Sequence, residues 1–72
     1  MSVHRLLAPM ASTVVELPLA AGRSFAAGET LAIVEAMKMQ NVLRAERDGT
    51  VKKIYAAAGA TLAVDALILE FA

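Results

Sequence analysis

Glu29-Thr30-Leu31-Ala32-Ile33-Val34-Glu35-Ala36-Met37-Lys38-Met39-Gln40-Asn41-Val42-Leu43-Arg44-Ala45-Glu46-Arg47 is the stretch that decides the fold. Taken alone it reads as helix. It is rich in good helix formers, and Leu31, Val34, Lys38, Val42 and Ala45 fall near helical spacing. The rest of the chain overrules that reading, because the sequence repeats itself. A shift of 37 residues lays Ala8 on Ala45, Thr13-Val14 on Thr50-Val51, and Ala20-Ala21-Gly22 on Ala57-Ala58-Gly59. Similar pairs continue the match: Leu17 with Ile54, Ser24 with Thr61, Phe25 with Leu62, and Leu31 with Ile68. Thr30-Leu31-Ala32-Ile33-Val34 then falls on Leu67-Ile68-Leu69-Glu70-Phe71, and a long central helix would break the equivalence of the halves. The stretch is therefore expected to be strand, turn, strand.

The repeated unit is itself built of strands. Thr13-Val14-Val15-Glu16-Leu17 and Thr50-Val51-Lys52-Lys53-Ile54-Tyr55 are short, β-branched and partly alternating. Gly22, Gly28, Gly49 and Gly59 punctuate at turn positions. Pro9 and Pro18 suit strand ends or edges better than helix interiors. Neither half can bury its apolar face alone, so two copies must pack together. Many short strands with glycine turns at this spacing predict an all-β fold, a β-sandwich or flattened barrel.

One domain, residues 1–72, is expected, with repeat halves of about 8–34 and 45–71 and a hairpin connector over 35–44. The connector's midpoint lies beside Lys38. If a two-fold axis relates the halves, Met37-Lys38 is the hairpin tip and both chain ends lie at the opposite pole.

Composition narrows what such a domain can do. A chain of 72 residues buries only about 60% of its extended surface, and its 58% apolar content is ample for that core. Seven basic and seven acidic residues give no electrostatic reason to expect nucleic acid or an anionic membrane as partner. The absence of cysteine excludes disulfides, thiolate catalysis and thiolate metal sites. The longest apolar run, Leu31-Ala32-Ile33-Val34, is far short of the roughly 20 residues that cross a bilayer. Met1-Ser2-Val3-His4-Arg5 lacks the cationic and apolar regions of a secretion signal. The expected location is cytoplasmic, or the mitochondrial matrix if the source is eukaryotic.

A lysine at a hairpin tip is usually a solvated charge, and a methionine is usually core filling. For an isolated Met-Lys-Met that reading holds roughly nine times in ten. Here two flexible apolar side chains beside a turn lysine would stand partly exposed, a patch with no folding rationale. An exposed patch around one amine suggests that something docks there.

Ala8-Pro9-Met10, then Gly28-Glu29-Thr30-Leu31, then Glu35-Ala36-Met37-Lys38-Met39-Gln40-Asn41, closing with Ala45 and Gly49-Thr50-Val51, resembles the biotinyl (biotin carboxyl carrier) domain of biotin-dependent carboxylases. The resemblance covers nearly the whole chain. It implies a flattened barrel of two four-stranded antiparallel sheets with quasi-two-fold symmetry. It also implies that Lys38 carries biotin in amide linkage, with Glu35, Ala36, Met37 and Met39 as flanking residues read by a biotin protein ligase. No catalytic residue and no metal ligand is expected, and the domain is expected to be monomeric. Its further partners would be biotin carboxylase and carboxyltransferase domains or subunits, between which the biotin ureido nitrogen carries a carboxyl group. The absence of a thumb-like insertion between Val15 and Gly22 favours carriers of the pyruvate or acyl-CoA carboxylase type. Departures from the family pattern occur at Ala11-Ser12, Arg23, Gln40, Glu46 and Asp65, none of them at the lysine.

At pH 7 only about one free lysine amine in 2,500 is neutral and nucleophilic, so acylation needs activation from outside. His4, the only histidine, lies far away in sequence. Two readings compete. Lipoyl domains share the architecture, but their lysine usually sits in an Asp-Lys-Ala setting, whereas Met37 and Met39 favour biotin. A plain interaction module predicts no modification at all. An enzyme acting alone is disfavoured, because no acid–base pair, metal-ligand cluster or phosphate-binding glycine loop is present.

Overall fold

The computed structural model describes residues 3–72. Met1 and Ser2, which open both the stretch read for a secretion signal and the 1–72 domain, lie outside the described residues. Eight strands form among the described residues: β1 (His4–Leu7), β2 (Ser12–Glu16), β3 (Ser24–Phe25), β4 (Thr30–Ala36), β5 (Met39–Arg44), β6 (Gly49–Ile54), β7 (Thr61–Leu62) and β8 (Leu67–Phe71). Burial alternates along β1 and most of β2, whereas apolar side chains run consecutively in the buried middle of β4 and β8. Pro9 and Pro18 both fall between strands, where no ladder needs their missing N–H. The stretch that local propensity reads as helix is β4, a two-residue turn and β5.

The strands build two four-stranded antiparallel sheets, ordered β1-β8-β6-β3 and β5-β4-β2-β7. Advancing every strand by four places turns the first order into the second, so the repeat exchanges the two sheets. Connecting hydrogen bonds obey the same exchange. Gly22 N–H donates to the Val51 carbonyl and Gly59 N–H to the Val14 carbonyl, each at 2.8 Å. Gly28 N–H donates to the Ala45 carbonyl at 2.7 Å and Asp65 N–H to the Ala8 carbonyl at 2.8 Å. The correspondence reaches beyond what residue identity reveals, for β1 and β5 take equivalent places in the two sheets.

Two buried clusters fill the space between the sheets. One joins Val14, Val34, Leu62, Ile68 and Leu69 with Ala8 and Ala32; the other joins Leu19, Phe25, Leu31, Ala45 and Val51. Ala32 and Leu69, equivalent in the repeat, pack in the same cluster, so a small side chain on one sheet makes room for a large one on the other. Gly49 is no turn glycine. It opens β6, and a Cβ there would come within 2.8 Å of the Phe25 ring and 3.0 Å of the Ala72 carbonyl oxygen. Its lack of a side chain lets Phe25 pack edge-on against Phe71, with ring centroids 5.4 Å apart.

Arg23 and Asp65 acquire local explanations. Arg23 bridges its own connection by pairing with Glu29 at 2.6 Å and donating to the Pro18 carbonyl at 3.3 Å. Asp65 occupies the left-handed conformation (φ 66°) that its repeat mate Gly28 adopts freely (φ 87°).

On the β1-β8-β6 sheet the Tyr55 hydroxyl donates to Glu70 Oε1 at 2.8 Å, while Arg5 Nε lies 3.3 Å from Glu70 Oε2. The hydrogen bond to Glu70 raises the Tyr55 pKa above the ordinary 10.0, helped by burial and by the carboxylate's charge and opposed by Arg5. A phenol whose folded pKa is raised contributes stability that is complete below pH 10 and lost as pH climbs through the folded value. With one tyrosine and no tryptophan in the chain, phenolate absorbance reports this group cleanly. Its titration midpoint is expected above that of free tyrosine and is expected to fall back in Glu70→Gln; an unchanged midpoint in the variant would contradict the assignment.

Candidate functional site

The longest strand pair in the molecule ends in the tightest turn. β4 and β5 pair from Thr30↔Arg44 up to Glu35↔Gln40 and Ala36↔Met39, leaving only Met37 and Lys38 to reverse the chain. Both residues have positive φ, 52° and 64°. Primed two-residue turns require this geometry because their twist matches that of the flanking strands, and they ordinarily use Asn-Gly or Asp-Gly. An L-residue with a Cβ gives up about 1–2 kcal/mol in the left-handed region. The hairpin therefore holds two strained side chains at its tip, where a glycine would fold more easily. Strain kept in place by a well-paired ladder is a mark of function.

The neighbouring side chains stand clear of the body. Met37 is 92% exposed and Met39 66% exposed. Lys38 is exposed, and among the described residues it has no hydrogen bond and no ion pair. Glu35 is exposed and Ala36 half-buried, so the five residues singled out from the sequence come together on one hairpin end. Met10 joins them from the β1–β2 connection, its Sδ 3.9 Å from Asn41 Nδ2. Sequence reasoning quoted Met10 within the Ala-Pro-Met motif but assigned it no place at the site; only the folded chain sets it beside β5.

The histidine is elsewhere. His4 lies at the foot of the hairpin, its Nε2 3.2 Å from Arg47 Nη1. Thr30 to Ala36 rises about 20 Å at strand spacing, so histidine and lysine occupy opposite poles. Ala72 is at the histidine's pole, exchanging backbone hydrogen bonds of 2.8 and 3.0 Å with Thr50. Among the described residues no three His, Cys, Asp or Glu side chains are grouped to hold a metal ion. What the tip offers chemically is one unencumbered primary amine on a rigid post. An acyl group joined to it in amide linkage would meet no steric obstacle in the chain.

Glycine substitutions measure the backbone strain at the tip and at its counterpart elsewhere in the chain. Asp65→Gly and Met37→Gly are each expected to raise stability by about 0.5–1 kcal/mol, with the gain smaller for aspartate, which tolerates this conformation better. Denaturant midpoints measure both. A loss of stability in either variant would show that the turn is not held against its preference.

Residues 4–71 match the family described as Biotin-requiring enzyme. The chain is 48% identical over 66 residues to the propionyl-CoA carboxylase α chain of Ruegeria pomeroyi, covering 92% of this chain and 10% of that one. It is 40% identical over 63 residues to mitochondrial pyruvate carboxylase of Mus musculus, covering 88% of this chain and 5% of that protein. Among solved structures it superimposes on a single-chain, multi-domain long-chain acyl-CoA carboxylase with a TM-score of 0.90 at 33% identity, over 96% of this chain and 7% of that one. It also superimposes on the urea carboxylase of Kluyveromyces lactis with a TM-score of 0.87 at 25% identity, over 100% of this chain and 6% of that one. The chain thus spans a tenth or less of the length of these relatives. With a two-sheet barrel, a Met-Lys-Met hairpin and a family match over residues 4–71, this chain belongs to the biotinyl domains of biotin-dependent carboxylases.

Proposed function

We propose that Lys38 is the attachment point of biotin and that the domain is a non-catalytic carrier within a biotin-dependent carboxylase of the acyl-CoA or pyruvate type. The observation that carries this reading is the strained turn holding a lone exposed amine between two exposed methionines, in a chain of the biotin-requiring family. Biotin, when bound, supplies a ureido nitrogen able to carry a carboxyl group from a biotin carboxylase site to a carboxyltransferase site. The chain's own residues do the positioning. Lys38 Nζ is the acyl acceptor, and amide formation replaces a cation by a neutral group. Met37 and Met39 give a biotin protein ligase an apolar grip on either side of the amine. The β4–β5 ladder holds the tip about 20 Å from the opposite pole, which keeps the cargo clear of the body of the domain. Tethering raises the local concentration of the cofactor at both sites without requiring tight binding.

Intact-mass spectrometry after co-expression with biotin protein ligase, and separately with lipoate ligase, tests the reading. The mass gain of one biotinyl group, located on Lys38 by peptide mapping, is the expected result. Selective gain of a lipoyl group, or of nothing, would refute it.

A further inference from the structure

The repeat places equivalent residues near each pole, and only one set of them is charged. At the pole away from Lys38 a groove of about 270 Å³ lies between the edge strands β1 and β5. Leu6, Leu31 and Phe71 form its apolar part, and His4 stacks on Phe71 with ring centroids 5.4 Å apart. Arg5, Arg44 and Arg47 line the rest, with Glu46 the only acid. With Arg5 paired to Glu70 just outside the lining, three arginines against Glu46 and Glu70 leave this groove with a surplus of one positive charge, on a chain whose seven basic and seven acidic residues cancel.

These cations are not demanded by the fold. The 37-residue shift carries Arg5 to Val42, Arg44 to Leu7, Arg47 to Met10, His4 to Asn41 and Glu46 to Pro9. Even the contact is reproduced, since Arg47–His4 at one pole answers Met10–Asn41 at the other. The same architecture therefore stands on neutral residues at the Lys38 pole. The arginines are also under-used. Arg44 Nη1 donates to the Gly28 carbonyl and Thr30 Oγ1 at 3.2 and 3.3 Å, and Arg5 shares Glu70 with Tyr55. Among the described residues neither Arg44 nor Arg47 has a carboxylate partner.

We infer that this groove docks an acidic polypeptide segment, with carboxylates on the arginines and one apolar side chain against Leu6, Leu31 and Phe71. Guanidinium groups match carboxylates in planar, two-pronged geometry, which a chain of spaced Asp and Glu residues can satisfy several times. The volume suits one or two side chains rather than a folded domain. β1 is an edge strand, so an extended segment lying along the groove has free backbone groups to pair with. Docking at this pole leaves the Lys38 hairpin unobstructed.

A titration of the isotope-labelled 72-residue chain, followed by amide NMR, tests the inference. The probe is a capped Asp-Glu-Leu-Asp-Glu peptide; a Gly-Ser-Leu-Ser-Gly peptide and inorganic phosphate are the controls. Saturable shifts confined to 4–6, 31, 44–47 and 71 are expected with the acidic peptide alone, weakening as salt is added. Arg44→Gln with Arg47→Gln is expected to weaken binding about tenfold or more, with Lys38 biotinylation unchanged. If the double variant loses its folded spectrum, Arg47→Gln alone serves, since its one recorded side-chain contact is with His4. Equal shifts with the neutral peptide, the same response to phosphate, or full binding by the variants would each overturn the inference. Biotin loading is read separately, so failure here leaves the assignment of Lys38 standing.

Discussion

Lys38→Arg is expected to leave the domain folded and to reduce biotin incorporation to background. Arginine keeps the charge and nearly the reach of lysine, so any partner that merely read a positive tip would accept it. Its guanidinium stays protonated under all ordinary conditions and is no acyl acceptor. The fold has no reason to notice the exchange: Lys38 makes no recorded contact, and arginine bears the same left-handed strain. Unfolding free energy is expected to change by less than about 0.5 kcal/mol. Lys52 and Lys53 cannot substitute, because they lie on β6, where Lys53 Nζ sits 5.0 Å from the Tyr55 ring centroid. The measurement is avidin blotting and intact mass on folded protein after treatment with ligase, biotin and ATP. An avidin-reactive arginine variant would remove Lys38 from the site.

Ile68→Ala is expected to have the largest effect on stability. Ile68 is fully buried in β8 and packs with Val14, Val34, Leu62 and Leu69. Removing its outer carbons costs about 2–5 kcal/mol, through lost transfer energy and the cavity left behind. A domain of 72 residues at the usual stability per residue has only about 4–11 kcal/mol in total. The variant is therefore expected to lose about half of its stability, and its urea midpoint measures that loss. Labelling of Lys38 is expected to follow the folded fraction, because the turn geometry exists only when β2 and β5 flank β4. Full labelling of the variant in urea above its unfolding midpoint would show that the ligase reads the local sequence rather than the folded hairpin.

Much of the fold could be read from the chain because its signals are repeated. One strand assignment in isolation is ambiguous, but Thr13-Val14 matched to Thr50-Val51, and Leu31 matched to Ile68, must serve one structural purpose twice. The expected exposure of Met37 and Met39 holds in the folded chain, since a two-residue turn leaves no interior for them. Other features were illegible for definite reasons. Gly49 looks like a turn glycine until the Phe25 and Phe71 rings are seen to occupy the space its side chain would need. Met10 acquires its place beside Asn41 only through the pairing of distant strands. The equivalence of β1 and β5 leaves almost no trace in residue identity, because one lines a cationic groove and the other flanks the hairpin tip.

The sequence alone determined the duplicated unit, its all-β character and the lysine worth watching, because spacing and repetition are properties of the covalent chain. The repeat also set aside the helix that local propensity reads over 29–47, and the folded chain shows the physical reason: β4 gains ladders on both sides, from β2 and β5, that an isolated segment lacks. Tertiary structure alone decided that Met37 and Lys38 take left-handed backbone, and that Arg5, Arg44 and Arg47 share one groove. Both outcomes depend on strand register and on which distant segments become neighbours, and no local propensity encodes either.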